Sequence, residues 1–325
     1  MTIMKRLFGK PLPLLALASL SVLVVIPCFS ADAPVERSRH VLVIVVDGAM
    51  PAVVKSAKTP NIKALAAEGT VSWDAFAGGV LGTPTRQNTA SLSSYNSILT
   101  GVWADKHGVT SHRRQRPNHD KYPCFFKRLK EHKAGAYCSS IVNWQPINDR
   151  MVPEADHKAK GANDAEVVEL AAKHLQEADP DVLFIQLDEV DGAGHGNGYS
   201  ADSPKYVEAI EKADKYVGDL VAAVKKRKNY ANEDWLIIVL SDHGGKGTSH
   251  GGDSPEERTV FMIVSGEQAK KAEVSPGPGI VAVTPTALHY LGVQIKPEWG
   301  LEAEPFGLKD YEPAPKTKPG NAAGE

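Results

Sequence analysis

Three strand-like apolar runs in this chain end in carboxylates. "VLVIVVDG" delivers Asp47. "LFIQLDEVDGAGHGNG" delivers Asp188 and Asp191, with His195 four residues further on. "LIIVLSDHGG" delivers Asp242 and His243, and His250 follows in "KGTSHGG". Carboxylates crowded together repel one another and resist ionisation. A divalent cation removes that conflict, and a mixture of imidazole and carboxylate ligands suits zinc, with manganese or iron as alternatives. Singly these signals are weak, because an aspartate after a strand commonly caps a turn or helix. Asp-His-Gly-Gly behind a buried run is more specific, and its glycines suit sharp turns and close backbone approach.

A hydroxyl-rich stretch, "NTASLSSYNSILTGVWADKHGV" at 88–109, is the other chemical candidate. It reads either as a capped amphipathic helix or as a hydroxyl nucleophile at a helix N-terminus, where free N–H groups favour developing negative charge.

Such residues need elements that bring them together. The runs at 40–46, 136–142, 181–187, 235–240 and 259–265 are nearly continuously apolar, as expected of strands buried on both faces of a parallel sheet. Between them lie helical segments. One spans Phe125–His132. Asn163, with Glu166 three residues on, opens another. Ser203-Pro204 opens a long one, whose Val207, Ile210, Ala213, Val217, Leu220, Val221 and Val224 recur at three- and four-residue steps. Thr284-Pro285 opens a last one, closed by Gly292. The alternation predicts an α/β fold: a doubly wound, mostly parallel central sheet with helices on both faces and small cap insertions. Ligands of such sheets bind beyond the carboxyl ends of the strands, which is where the aspartates and histidines fall.

The 325 residues are 42% hydrophobic and 23% charged, with a net charge of −2. No basic excess points to a nucleic-acid patch, and no acidic excess to a solvating tail. Lys5, Arg6 and Lys10 precede an apolar stretch from Pro11 to Pro27 and then small residues. Residues 1–30 therefore read as an export signal, cleaved after Ser30 or Ala31, leaving no stable membrane span and a periplasmic or extracellular protein. One domain is expected over 39–312, and a disordered tail over 313–325. In an oxidising compartment Cys124 and Cys138 are expected to pair, two buried thiols being the alternative.

These residues, in this order, resemble the alkaline phosphatase superfamily, and most closely its type I phosphodiesterase/nucleotide pyrophosphatase branch. The likeness covers roughly residues 39–310. It rests on the strand ending in Asp47, on Ser91 nine residues before Thr100-Gly101, and on His107-Gly108. Asp191 and His195, then Asp242-His243-Gly244, then His250-Gly251 complete it. The resemblance implies two divalent cations, most commonly zinc. Asp47, Ser91, Asp242 and His243 would hold one, and Asp191, His195 and His250 the other. It also implies a seryl nucleophile, Ser91, acting on a small phosphate ester.

The chain departs from that pattern in three ways. The nucleophile position is Ser rather than Thr. His112, followed by Arg113, occupies the place of a phosphate-holding Asn, so "HRRQR" is either a phosphate-binding segment or a solvated loop. His250 follows Asp-His-Gly by only seven residues, which predicts a small cap and an open site. Trp144-Gln145-Pro146 is a candidate substrate-side wall, or else loop packing. The functional expectation is a phosphodiesterase, with a phosphomonoesterase or a sulfate or phosphonate ester hydrolase as enzymatic alternatives. A metal-binding module without catalysis is the alternative from another class.

Overall fold

The computed structural model describes Gly9, residues 37–110 and residues 117–312. Apart from Gly9, the expected export signal lies outside the described residues, as do the tail and His112 with Arg113.

Eight strands form one sheet: β1 (Ser38–Val46), β2 (Thr70–Phe76), β3 (Cys138–Val142), β4 (His157–Lys160), β5 (Val182–Leu187), β6 (Glu233–Leu240), β7 (Thr259–Ser265) and β8 (Ala272–Glu273). Their order is β4-β3-β5-β1-β6-β7-β2-β8. All pairings are parallel except those of β7, which runs against both β6 and β2. The α-helices are α1 (Pro51–Ser56), α2 (Pro60–Glu68), α3 (Ser91–Thr100), α4 (Ala104–His107), α5 (Phe125–His132), α6 (Pro146–Arg150), α7 (Asp164–Glu177), α8 (Glu189–Asn197), α9 (Pro204–Lys225), α10 (Pro255–Arg258) and α11 (Val283–Tyr290).

The doubly wound expectation holds, and β1 shows why. Its side chains alternate between two cores. Val41, Val43 and Val45 enter one with α3, α5 and α11. Leu42, Ile44 and Val46 enter the other with α1, α2, α7 and α9. All six are at most 1% exposed, and burying each contributes roughly 1.5–3 kcal/mol of transfer free energy. A strand covered on both faces has no polar stripe, hence its unbroken apolar run. The reversed direction of β7 leaves no trace in such a pattern.

The amphipathic reading of α9 is equally direct. Ile210, Ala213, Val217, Leu220 and Val224 are buried in the second core, with Val207 and Val221 half-buried beside them. The cap of α7 forms as its sequence predicts: the Glu166 N–H donates to Asn163 Oδ1 at 3.0 Å, and Ala162 N–H donates to Glu166 Oε2. Two expectations are corrected. Cys124 and Cys138 are free buried thiols, packed as small apolar groups in the first core. Burial raises the Cys124 thiol well above its ordinary range and Cys138 to about 12. The glycine-rich "EVDGAGHGN" forms the helix α8. The last helix starts at Val283, before Thr284-Pro285.

Candidate active site

β5, β1 and β6 are neighbours, and the candidate functional side chains hang from their carboxyl ends. Asp47 directly follows β1, and its N–H donates to Leu187 O at the end of β5 (2.9 Å). Asp242 and His243 follow β6. Asp191 and His195 sit one turn apart on α8, so they share a face. Ser91 is the first residue of α3, after an extended Ala90. The loop behind β6 returns to this point because His250 Nδ1 bonds Thr89 O at 3.0 Å, two residues before Ser91.

Two adjoining centres result. In the first, His243 Nε2 lies 3.4 Å from Asp47 Oδ1, 3.4 Å from Asp242 Oδ2 and 3.3 Å from Ser91 Oγ. In the second, Asp191 Oδ2 is 3.3 Å from His195 Nε2, and its Oδ1 is 3.8 Å from His250 Nε2. The two meet where the His243 and His250 rings stack with centroids 3.9 Å apart. The potential ligand atoms of Asp47, Asp242 and His243 lie within 4.8 Å of one another, as do those of Asp191, His243 and His250. The structure thus gathers all seven residues singled out from sequence and described here.

The donor set fits cations. Each imidazole turns Nδ1 toward a carbonyl oxygen: His243 to Gly244 (2.9 Å), His250 to Thr89 (3.0 Å) and His195 to Thr248 (3.0 Å). A carbonyl only accepts, so Nδ1 carries the proton, and in the neutral ring Nε2 offers a lone pair. Those lone pairs face carboxylate oxygens, which are also acceptors. A shared cation reconciles them. Asp47 Oδ1 and Asp242 Oδ2 are buried without a hydrogen-bond partner. Burial first, and then the charge of Asp242, raises the Asp47 carboxyl well above the ordinary range. Burial and then Asp191 push Asp242 up to about 7. Burial and His243 depress His250 to about 4, holding it neutral. Cation binding favours the ionised carboxylates and neutral imidazoles together.

A sequence profile described as type I phosphodiesterase/nucleotide pyrophosphatase matches residues 41–287. The chain belongs to this family. It is therefore an enzyme of the alkaline phosphatase superfamily and a phosphoric ester hydrolase, in a family whose members typically depend on metals. Solved structures share the fold. Murine ectonucleotide pyrophosphatase/phosphodiesterase 5, an inactive variant in complex with AMP, has a TM-score of 0.63 at 14% identity, over 79% of this chain and 96% of that one. Ps i-CgsB in complex with k-i-k-neocarrahexaose has a TM-score of 0.61 at 18% identity, over 82% and 75%. A 2-O GAG sulfatase has 0.61 at 15% identity, over 80% and 72%. Comparison with curated proteins found no significant match.

In this member of the phosphodiesterase family, several supporting residues escaped the sequence reading. Tyr199 donates its hydroxyl to Asp191 Oδ1. Its ring lies between Gly194 and Gly245, where an added Cβ at either position would come within 2.3 Å of it. Tyr95 donates to Asp47 Oδ2 at 3.0 Å, and Gln186 contacts the same oxygen. Gly48, with φ +66°, brings its N–H to Asp242 Oδ1 at 3.2 Å. A Cβ there would lie 2.7 Å from Asp191 Oδ1. His107 of the His-Gly element is tied to α3, the helix that begins at Ser91. Val109 N–H donates to its Nδ1 (3.1 Å), Nε2 bonds Ser97 Oγ (2.9 Å), and Ser97 donates to Gln87 (3.0 Å). Trp144 is half-buried with its ring 6.0 Å from Tyr95. Only a polar residue inside an apolar run (Gln186), or a tyrosine four residues after His195, gave any sequence signal.

Proposed function

We propose that the protein is an exported phosphodiesterase that uses Ser91 as nucleophile and two divalent cations, most commonly zinc. Asp47, Ser91, Asp242 and His243 would hold one cation, and Asp191, His195 and His250 the other. When bound, the cations supply charge neutralisation at the phosphoryl group and lower the pKa of nearby hydroxyl groups. The chain's own residues do the rest. Ser91 Oγ, held at the first turn of α3, forms a bond to phosphorus as the bond to the departing alkoxide breaks. Water then cleaves the phosphoseryl group and regenerates Ser91. The N-terminus of α3 favours negative charge at that oxygen. The backbone carbonyls of Gly244, Thr89 and Thr248 orient the imidazoles.

Within this reading His112 and Arg113 bind the phosphate. Their segment leaves from Thr110, whose carbonyl accepts from Asn88 N–H at 3.0 Å, three residues before Ser91. It returns at Asn118, whose N–H donates to His107 O. Residues 1–30 act as the export signal, which N-terminal sequencing of secreted protein checks. Among the described residues no helix is long and apolar enough to cross a membrane.

One observation carries the proposal: three carboxylates and three Nδ1-anchored imidazoles form two adjoining centres, and Ser91 at a helix N-terminus lies 3.3 Å from the His243 Nε2 of one of them. The test pairs metal analysis with turnover of bis-p-nitrophenyl phosphate and p-nitrophenyl phosphate. Two zinc equivalents with faster diester turnover support the reading. Faster monoester turnover makes the protein a phosphatase, and two equivalents with neither activity make it a binding module.

A further inference from the structure

Gln186 is the one strongly polar side chain in β5, "VLFIQL", and it is fully buried. Burying a primary amide is costly unless its hydrogen bonds are made. This one makes all four. Its Oε1 accepts from the backbone N–H groups of Asn143 (3.1 Å) and Trp144 (2.8 Å). Two backbone donors must face an oxygen, which fixes the amide's orientation. The NH2 group therefore points the other way, to Asp188 Oδ1 at 2.8 Å and Asp47 Oδ2 at 3.3 Å. The Tyr95 hydroxyl donates to that same Asp47 Oδ2 at 3.0 Å. Its other oxygen, Oδ1, has no hydrogen-bond partner and faces His243 Nε2. Asp242 repeats the arrangement: Oδ1 accepts from Gly48 N–H, and Oδ2 is left toward His243.

We propose that Gln186 is a positioning residue. With Tyr95 it occupies Asp47 Oδ2, fixes the carboxylate plane, and presents Oδ1 alone to the cation beside Ser91. The inference rests on the two-cation reading above. Gln186 does not touch the substrate. It anchors a ligand of one centre and leaves the other centre unaffected. It also ties the Asn143–Trp144 backbone to that ligand, so the segment after β3 and the carboxylate after β1 are held in one register.

The experiment is a zinc titration of metal-stripped full-length protein against a chromophoric chelator, with refolded state checked by circular dichroism. Wild type takes two equivalents; fewer would sink the underlying two-cation reading, whatever the variants do. In Gln186→Leu, one of the two affinities falls about 10- to 100-fold while the other stays within about twofold. Tyr95→Phe, which removes one hydroxyl from the same oxygen, weakens the same centre by about tenfold. Repeating both in a His195→Ala background, in which the neighbouring centre is already the weaker one, assigns the further loss to the Asp47 centre. Equal losses at both centres, or unchanged affinity at both in a wild type that binds two, overturn the positioning role. If Gln186→Leu does not fold, Tyr95→Phe decides alone.

Discussion

The two halves of the site are built differently. Asp47, Asp242 and His243 are at most 1% exposed, and all three hang from the ends of adjacent central strands. The second half stands on α8, a nine-residue helix containing three glycines, and on a loop; there the His195 side chain is 46% exposed and that of Asp191 15%. A sealed half beside a more open one, in which the His250 side chain alone is as little as 8% exposed, suits a reaction in which the nucleophile must be fixed while a departing alcohol and water exchange. The contrast also teaches where binding energy is tolerant. A lost ligand in the sealed half leaves buried charge uncompensated, whereas in the open half water can replace it.

Substitutions can break this comparison. The largest effect is expected from Ser91→Ala, which should lower turnover by about 10⁴-fold or more with zinc content unchanged. Full activity in that variant would place the nucleophile on another hydroxyl of the 88–100 segment. Next, Asp242→Ala should lose one zinc equivalent outright, while His195→Ala should retain two with one bound about 10- to 100-fold more weakly. Equal losses measured by equilibrium dialysis would erase the distinction between the halves.

A smaller effect concerns His107, which is hydrogen-bonded to Ser97 of α3. Burial, then the neighbouring His119, lowers His107 to about 3. A histidine depressed from its unfolded value is neutral in the fold, so its contribution is intact above about pH 6.5. Below that the unfolded chain binds the extra proton, and stability falls by about 1.4 kcal/mol per pH unit until about pH 3. Urea unfolding of metal-free protein should show this slope, and His107→Gln should flatten it. An unaltered slope would assign acid sensitivity to other groups, such as His174, which burial lowers to about 4. Smallest of all, Tyr199→Phe should weaken zinc at the open centre by less than tenfold, or about 1 kcal/mol, with no change at the sealed one.

The same contrast explains what the sequence disclosed. The sealed half was legible because its candidate ligands directly follow continuous apolar runs, so strand ends and proposed chemistry coincide at Asp47 and Asp242. In the open half Asp191 and His195 were identifiable, but their glycines concealed a helix. The supports were not legible: Tyr95 meets Asp47 across 48 positions and Gln186 across 139, and no local pattern encodes such contacts. The reversed direction of β7, the short β8, and β2 with polar Ser72 and Asp74 were hidden for similar reasons. Burial on both faces erases direction, and two residues carry no periodicity. Cys124 and Cys138 show that two thiols in one core need not be bonded.

The most direct test is zinc-edge anomalous diffraction from crystals of the zinc-loaded protein. The account predicts two peaks, one among Asp47, Ser91, Asp242 and His243 and one among Asp191, His195 and His250. A single peak, or peaks away from these side chains, would contradict it.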